Sequence, residues 1–238
     1  MTDNKVVTVL SGGIDSAVVM WWALEQGCDT LAVSVDYGQR NRRELGYASN
    51  LCAQVNVRHE TVDLSSLKKL LKGNALTDDI DVPLGHYTSP NMKQAVVPNR
   101  NMVLLSVALC AAASEDASRV LYGAHKGSTI YPDTRPEFVD RISLVAEVCW
   151  FNPIFIEAPF IDKTKAEIVL LGTQIGVPWE QTWSCYGGGE IHCGLCGTCV
   201  ERREAFRLAE VKDPTDYLDQ TPILELVEKI TDGNQEEV

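Results

Sequence analysis

The 238-residue chain is short of positive charge: 21 Lys and Arg stand against 33 Asp and Glu, a formal net charge of −12. Proteins that grip nucleic acid through its phosphates need basic surface to displace counterions. Bulk nucleic-acid binding is therefore excluded as the main role, although a local basic site is not. No apolar run approaches the roughly 18 residues that cross a bilayer, so no membrane association is expected. The polar Met1–Lys5 runs straight into a short apolar stretch, with neither the pattern of a signal peptide nor that of a transit peptide. A cytoplasmic location is the expectation. No internal repeat is visible. Apolar residues still make up 45% of the chain, enough for one sizeable domain with a small accessory module.

Short apolar runs alternate with segments of helical periodicity. Lys5–Leu10, Thr30–Asp36, Val57–Val62, Arg119–Ala124 and Ile154–Ala158 are expected strands. Helices are expected over Ala17–Gln26, Arg40–Val55, Asn99–Ser114, Pro136–Cys149, Thr164–Ile175 and Glu201–Glu210. Strands alternating with helices of this length indicate βαβ units, hence an α/β fold with a Rossmann-like, doubly wound parallel sheet. Ser65–Pro98 is polar and broken by Gly73, Pro83, Gly85 and Pro90, as expected of a lid or substrate loop. Composition shifts to Gly and Cys after Pro178, which divides the chain into residues 1–178 and a smaller module, 179–238. Gly233–Val238 forms an acidic end.

Two familiar phosphate-binding patterns are missing. GxxxxGK[ST] does not occur, which excludes a Walker-type NTPase, and the third glycine of GxGxxG is lacking, which argues against a dinucleotide fold. Directly after the first strand stands Leu10-Ser11-Gly12-Gly13-Ile14-Asp15-Ser16. Its glycines let backbone N–H groups approach an anion, and the positive end of the following helix favours a phosphate there. Ser11 and Ser16 add hydroxyl donors. The plain alternative is a tight strand-to-helix turn capped by Asp15. SGGxDS in this place resembles the pyrophosphate-binding loop of the N-type ATP pyrophosphatases, the PP-loop enzymes, which adenylate a substrate oxygen and displace AMP with nitrogen or sulfur.

Further blocks follow in order: Asp36-Tyr37-Gly38-Gln39-Arg40, Val97-Pro98-Asn99-Arg100-Asn101, Tyr131-Pro132-Asp133, Arg135-Pro136-Glu137-Phe138 and Lys163-Thr164-Lys165-Ala166-Glu167. Asp36 ends a strand, where ligands of open α/β sheets bind. Tyr37 and Gly38 are placed to shape an adenine pocket. Arg40 and Arg100 supply cationic forks for phosphates or a carboxylate. Lys163 and Lys165 open a helix, where a cation opposes the dipole; a nearby anion explains this, and Asp162 as an N-cap partner is the competing explanation. His125 follows a strand end and is either a pocket residue or a hydrogen-bonded structural one.

With SGGIDS and the C-terminal cysteines, this ordered set resembles the 7-cyano-7-deazaguanine synthase family over roughly residues 5 to 210. The resemblance implies an adenine nucleotide alpha hydrolase-like sheet that uses ATP and Mg2+. It implies Asp15, Ser16, Arg100 and Lys163 as catalytic residues, with the nucleotide held by 10–16, Asp36, Tyr37, Gly38 and Arg40. Asn101, His125, Tyr131, Asp133, Arg135, Glu137 and Phe138 would then face the substrate, 7-carboxy-7-deazaguanine. Ammonia is the implied nitrogen donor, and a homodimer the implied assembly.

Of eight cysteines, Cys28, Cys52, Cys110 and Cys149 lie in apolar or helical segments and are expected to be buried small hydrophobes. Cys185, Cys193, Cys196 and Cys199 bring four thiols into 15 residues, among glycines that allow tight turns. Four thiolates suit tetrahedral zinc, an iron–sulfur cluster or a redox disulfide pair. Zinc is what the resemblance implies. With four protein ligands no position stays open for water, so the metal is expected to be structural.

Two places depart from the family pattern. Thr134 stands where a cysteine follows Tyr-Pro-Asp, and Gly127-Ser128-Thr129-Ile130 lacks an acidic residue ahead of the tyrosine. Both bear on conversion of an amide to the nitrile. A second hypothesis is therefore a family member that stops at an amide, joining the deazaguanine to an amine of a protein or other macromolecule. A non-catalytic nucleotide sensor is a third. A tRNA-thiolating relative would need a persulfide cysteine and a basic surface, and the acidic charge opposes it.

Overall fold

The computed structural model describes residues 4–127 and 130–226. Ser128 and Thr129, and the acidic end 233–238, lie outside the described residues. Five strands, β1 (Lys5–Val9), β2 (Asp29–Asp36), β3 (Arg58–Asp63), β4 (Arg119–Leu121) and β5 (Phe155–Glu157), form one parallel sheet in the order β3-β2-β1-β4-β5. Helices accompany them, among them α1 (Ile14–Glu25), α2 (Arg43–Gln54), α3 (Arg100–Ser114), α4 (Pro136–Ala146), α5 (Lys165–Gln174) and α6 (Gly197–Leu208).

The central strands read as near-continuous apolar runs because both faces of the sheet are covered. Val6 and Leu10 point to one side, where they pack with Ala17 and Val18 of α1, Leu51 of α2, Ile168 of α5 and Phe206 of α6. Val7, Val9 and Val33 point to the other, against Leu105, Ala108 and Ala112 of α3 and Ile142 of α4. This alternation is the period-two geometry of a strand. Pro90–Ser114 is long and apolar enough by composition to span a bilayer, yet within it α3 lays its buried residues on the sheet.

Element ends shift by a few residues from expectation, each for a local reason. A capping box starts α5: the Thr164 hydroxyl accepts from the Glu167 N–H, and the Glu167 carboxylate accepts from the Thr164 N–H at 2.7 Å. β4 stops at Leu121 because the chain then passes tightly over the first loop, where a side chain at Gly123 would meet Asp15. α6 begins four residues before the expected Glu201, since Cys196 is its N-cap. Cys199 thus falls in its first turn, one turn from Cys196.

Residues after Pro178 share the main core. The Trp179 ring meets Phe206 edge-on at 5.3 Å, and both lie in the cluster built on α1. Arg202, fully buried, ties α6 to this part of the chain by donating to the Thr182 hydroxyl at 2.7 Å and to the Trp179 carbonyl at 3.1 Å. Of the scattered cysteines, Cys28 and Cys52 are buried as expected. Cys110 and Cys149 are exposed instead, Cys110 on α3 and Cys149 beyond the end of α4.

Candidate active site

In an open parallel sheet, ligands bind beyond the carboxyl ends of the strands where the winding reverses. Here that point lies between β1 and β4, flanked by residues 10–16 on one side and 122–125 on the other. A cleft opens there, lined by Leu10, Ser11, Gly13, Ile14, Asp15 and Ser16 together with Tyr37, Arg100, Asn101, His125 and Tyr131.

The loop holds its shape through its own hydroxyls. The Ser11 N–H donates to Ser16 Oγ at 3.1 Å, and Ser16 Oγ donates to the Gly13 carbonyl at 3.2 Å. Gly13 is the N-cap of α1, with no side-chain cap, so Asp15 does not cap the helix and its carboxylate is available to the cleft. Gly12 has a φ of +82°, and a side chain there would collide with the Glu44 carbonyl as α2 begins. Only glycine meets both demands.

Asp15 belongs to a cluster of four charged or titratable groups. The Lys165 ammonium lies 2.5 Å from Asp15 Oδ2 and 3.3 Å from Glu201 Oε2. His125 Nε2 is 4.0 Å from Asp15 and 3.8 Å from Glu201. His125 Nδ1 accepts the Gly127 N–H at 3.1 Å, so in the neutral ring Nε2 carries the proton and presents it to the two carboxylates. Burial would raise the Asp15 carboxyl, but Lys165 and His125 outweigh it and hold it below its ordinary value. Burial would lower the Lys165 ammonium, and Asp15 and Glu201 outweigh that in turn, keeping it firmly protonated. The arrangement holds a cation beside the Ser11–Ser16 loop.

The back of the cleft is aromatic. Arg100 is placed over the Tyr131 ring at 5.7 Å, and the Tyr131 and Tyr186 hydroxyls are 3.4 Å apart. Thr134 lines the cleft and donates its hydroxyl to the Tyr131 carbonyl at 2.9 Å. The insertion 65–98 contributes Tyr87, Met92 and Ala95 to the wall. It is fastened to the cysteine segment by a bridge between Leu84 and Cys196 and by the Tyr87 hydroxyl, which donates to Glu204 at 3.1 Å.

Several expected site residues lie elsewhere. Lys163 is outside the cleft; with Thr164 as the cap, the residue that turns inward is Lys165. Asp36 is spent on its own turn, accepting from the Gly38 N–H at 2.9 Å and pairing with Arg42. Gly38 packs over the Lys68 side chain. Arg40 donates to the Asp78 and Ile80 carbonyls at 3.0 and 2.9 Å, pinning the insertion rather than reaching a phosphate. Asp133 accepts the Asn101 N–H at 2.8 Å and so caps α3. Arg135, Glu137 and Phe138 line a separate shallow depression at the start of α4. Glu44, Tyr87, Tyr186 and Glu201 line the cleft without having been expected there. None sits at a spacing that announces it; only the tertiary fold brings them in.

The thiols of Cys185, Cys193, Cys196 and Cys199 all lie within 4.8 Å of one another, with Cys193 and Cys199 at 3.9 Å. Tetrahedral bonds of about 2.3 Å set thiolates roughly 3.8 Å apart, so the four fit a metal ion. Backbone N–H groups of Gly187 and Cys193 donate to the Cys185 sulfur, each at 3.3 Å, as suits a thiolate.

The family of the queuosine biosynthesis protein QueC matches residues 5–210 of the chain. The chain belongs to the QueC family. It is 48% identical to the 7-cyano-7-deazaguanine synthase of Pseudoalteromonas translucida over 215 residues, 90% of this chain and 99% of the relative. The 7-cyano-7-deazaguanine synthase of Alteromonas mediterranea is 49% identical over 218 residues, 91% of this chain and 100% of that one. Membership makes this QueC-family chain an enzyme, an ATP-dependent ligase. Its fold is also that of a 4-thiouridine synthetase solved in complex with RNA and bound ATP, with a TM-score of 0.51 at 20% identity, covering 96% of this chain and 50% of the other.

Proposed function

We propose that this QueC-family enzyme adenylates the carboxylate of 7-carboxy-7-deazaguanine with ATP, and that ammonia displaces AMP to give the amide. A second activation of the amide oxygen and loss of that oxygen give the nitrile, 7-cyano-7-deazaguanine. The observation that carries the proposal is one cleft uniting the Ser11–Ser16 loop, the Lys165 ammonium and the Arg100 guanidinium. Pyrophosphate is the leaving group of adenylation, and fixed cations with loop N–H groups stabilise the charge it develops. Among the described residues Asp15 Oδ1 is buried without a hydrogen-bond partner, which suits it to a Mg2+ ion. Mg2+, when bound, neutralises phosphate charge. Arg100 is assigned to the substrate side, and Tyr37 to a ring face.

Thr134 favours a second outcome. Its hydroxyl is engaged by the Tyr131 carbonyl where the family pattern has a thiol, and an enzyme without that thiol would release the amide or pass the acyl group to another amine. Incubation of the purified protein with ATP, Mg2+, 7-carboxy-7-deazaguanine and ammonium tests both. Nitrile and AMP are the expected products by mass spectrometry. Amide accumulating without nitrile would replace the first outcome with the second, and AMP formation independent of the acid would refute both.

The cysteine cluster is assigned to structural Zn2+, because four thiolates close the coordination sphere. A cytoplasmic homodimer without bulk nucleic-acid binding completes the proposal, in keeping with the net charge of −12.

A further inference from the structure

One corner of the cleft contains hydrogen-bond acceptors in excess of donors. Asn41 and Glu44 both line it, at the start of α2 and next to the phosphate loop. The Asn41 amide nitrogen donates to Glu44 Oε2 at 2.6 Å, and the Gln39 amide nitrogen donates to Glu44 Oε1 at 3.1 Å. Each carboxylate oxygen accepts twice, so one site on each remains for a ligand. Asn41 is 2% exposed, and its Oδ1 is buried with no partner among the described residues. Rotating that amide would not relieve it, because an acceptor would then face the Glu44 carboxylate. A buried acceptor left unpaired in a folded protein calls for a donor.

We propose that Asn41 and Glu44 form the subsite that reads the amino-oxo edge of the deazaguanine ring, accepting from its ring N–H and its 2-amino group. This rests on the function proposed above. The edge presents three N–H hydrogens on two adjacent nitrogens, which matches an acceptor pair. Adenine presents one amino group next to an unprotonated ring nitrogen, and a carboxylate facing that nitrogen would repel it. Arg100, half-buried and near enough to Glu44 to pull on its carboxyl, supplies the complementary donor for the substrate's oxygens. Glu44 is therefore a specificity residue, with Gln39 and Asn41 holding its carboxylate in place.

The test compares 7-deazaguanine with its 2-deamino analogue, 7-deazahypoxanthine, by calorimetry on the full-length, metal-loaded protein at about pH 8.5, where Glu44 is ionised. Wild type is expected to bind the parent about tenfold more tightly or better, the effect of one hydrogen bond to a charged acceptor. Glu44→Gln and Asn41→Ala are each expected to shrink that ratio to about threefold or less while leaving the ATP Kd within about twofold. Equal wild-type affinity for the two heterocycles would overturn the proposal, whether or not either variant folds. So would a Glu44→Gln variant that keeps the discrimination and instead loses ATP affinity, since the corner would then serve adenine. Discrimination that persists in a wild type unable to turn over the 7-carboxy compound would support the subsite while refuting the proposed reaction.

Discussion

Replacing Glu44 by Gln should change how stability depends on pH, in a direction the structure specifies. Burial pushes the Glu44 carboxyl from 4.5 up to about 7, against the opposing pull of Gln39, Arg100 and Asn41. A carboxyl raised on folding favours the protonated native state. Its contribution is fully present below pH 4.5 and is lost as pH climbs through about 7. At about 1.4 kcal/mol per unit the shift corresponds to roughly 3 kcal/mol, or about 2 kcal/mol once screening of this partly exposed side chain is allowed for. Gln cannot ionise, so it adds only a pH-independent offset, arising from the amide group it must turn toward Gln39 or Asn41. Urea unfolding of wild type and Glu44→Gln at pH 5.0 and pH 8.5 reads the effect. The stability of the variant relative to wild type should rise by about 2 kcal/mol between those values, the other titrating groups cancelling in the difference. A constant difference across the window would refute the reasoning and mean that Glu44 titrates normally.

Lys165→Met should lower kcat/KM for ATP-dependent turnover by about 10²–10³, as loss of a fixed cation at a developing phosphate charge does. Lys163→Met, outside the cleft, should stay within about twofold, and equal losses in the two variants would contradict the placement. Cys193→Ser should release the bound metal, seen by elemental analysis, and make the 185–226 segment sensitive to limited proteolysis; retained metal with unchanged cleavage would refute the four-thiol site. Gly172→Ala would drive a methyl group into the Trp179 ring and Val18. Overpacking of that kind costs about 1–3 kcal/mol and should lower Tm by roughly 2–12 °C, checked by thermal unfolding.

Much of this architecture is legible along the chain. Apolar runs at Lys5–Val9 and Asp29–Asp36 are strands because they are covered on both faces, and the glycine pair after β1 marks a tight turn into α1 because Gly12 needs φ > 0 and close approach to α2. Four thiols in 15 residues announce a cluster able to hold a metal, since local turns alone can bring them together. These features depend on neighbours in sequence. The cleft's working charges depend on such local signals and on distant packing together. Lys165 rather than Lys163 faces Asp15 because a capping box sets where α5 starts, and Glu201 joins them because the cysteine turn begins α6 early enough to aim it inward. Arg40 and Asp36 look equally suited to a ligand on paper, yet the insertion takes one and a local turn takes the other. A sequence lists which groups can donate, accept or carry charge. Only packing decides which of them are left facing the cleft, between segments as distant as the first loop and α5 or as near as Arg40 and the insertion.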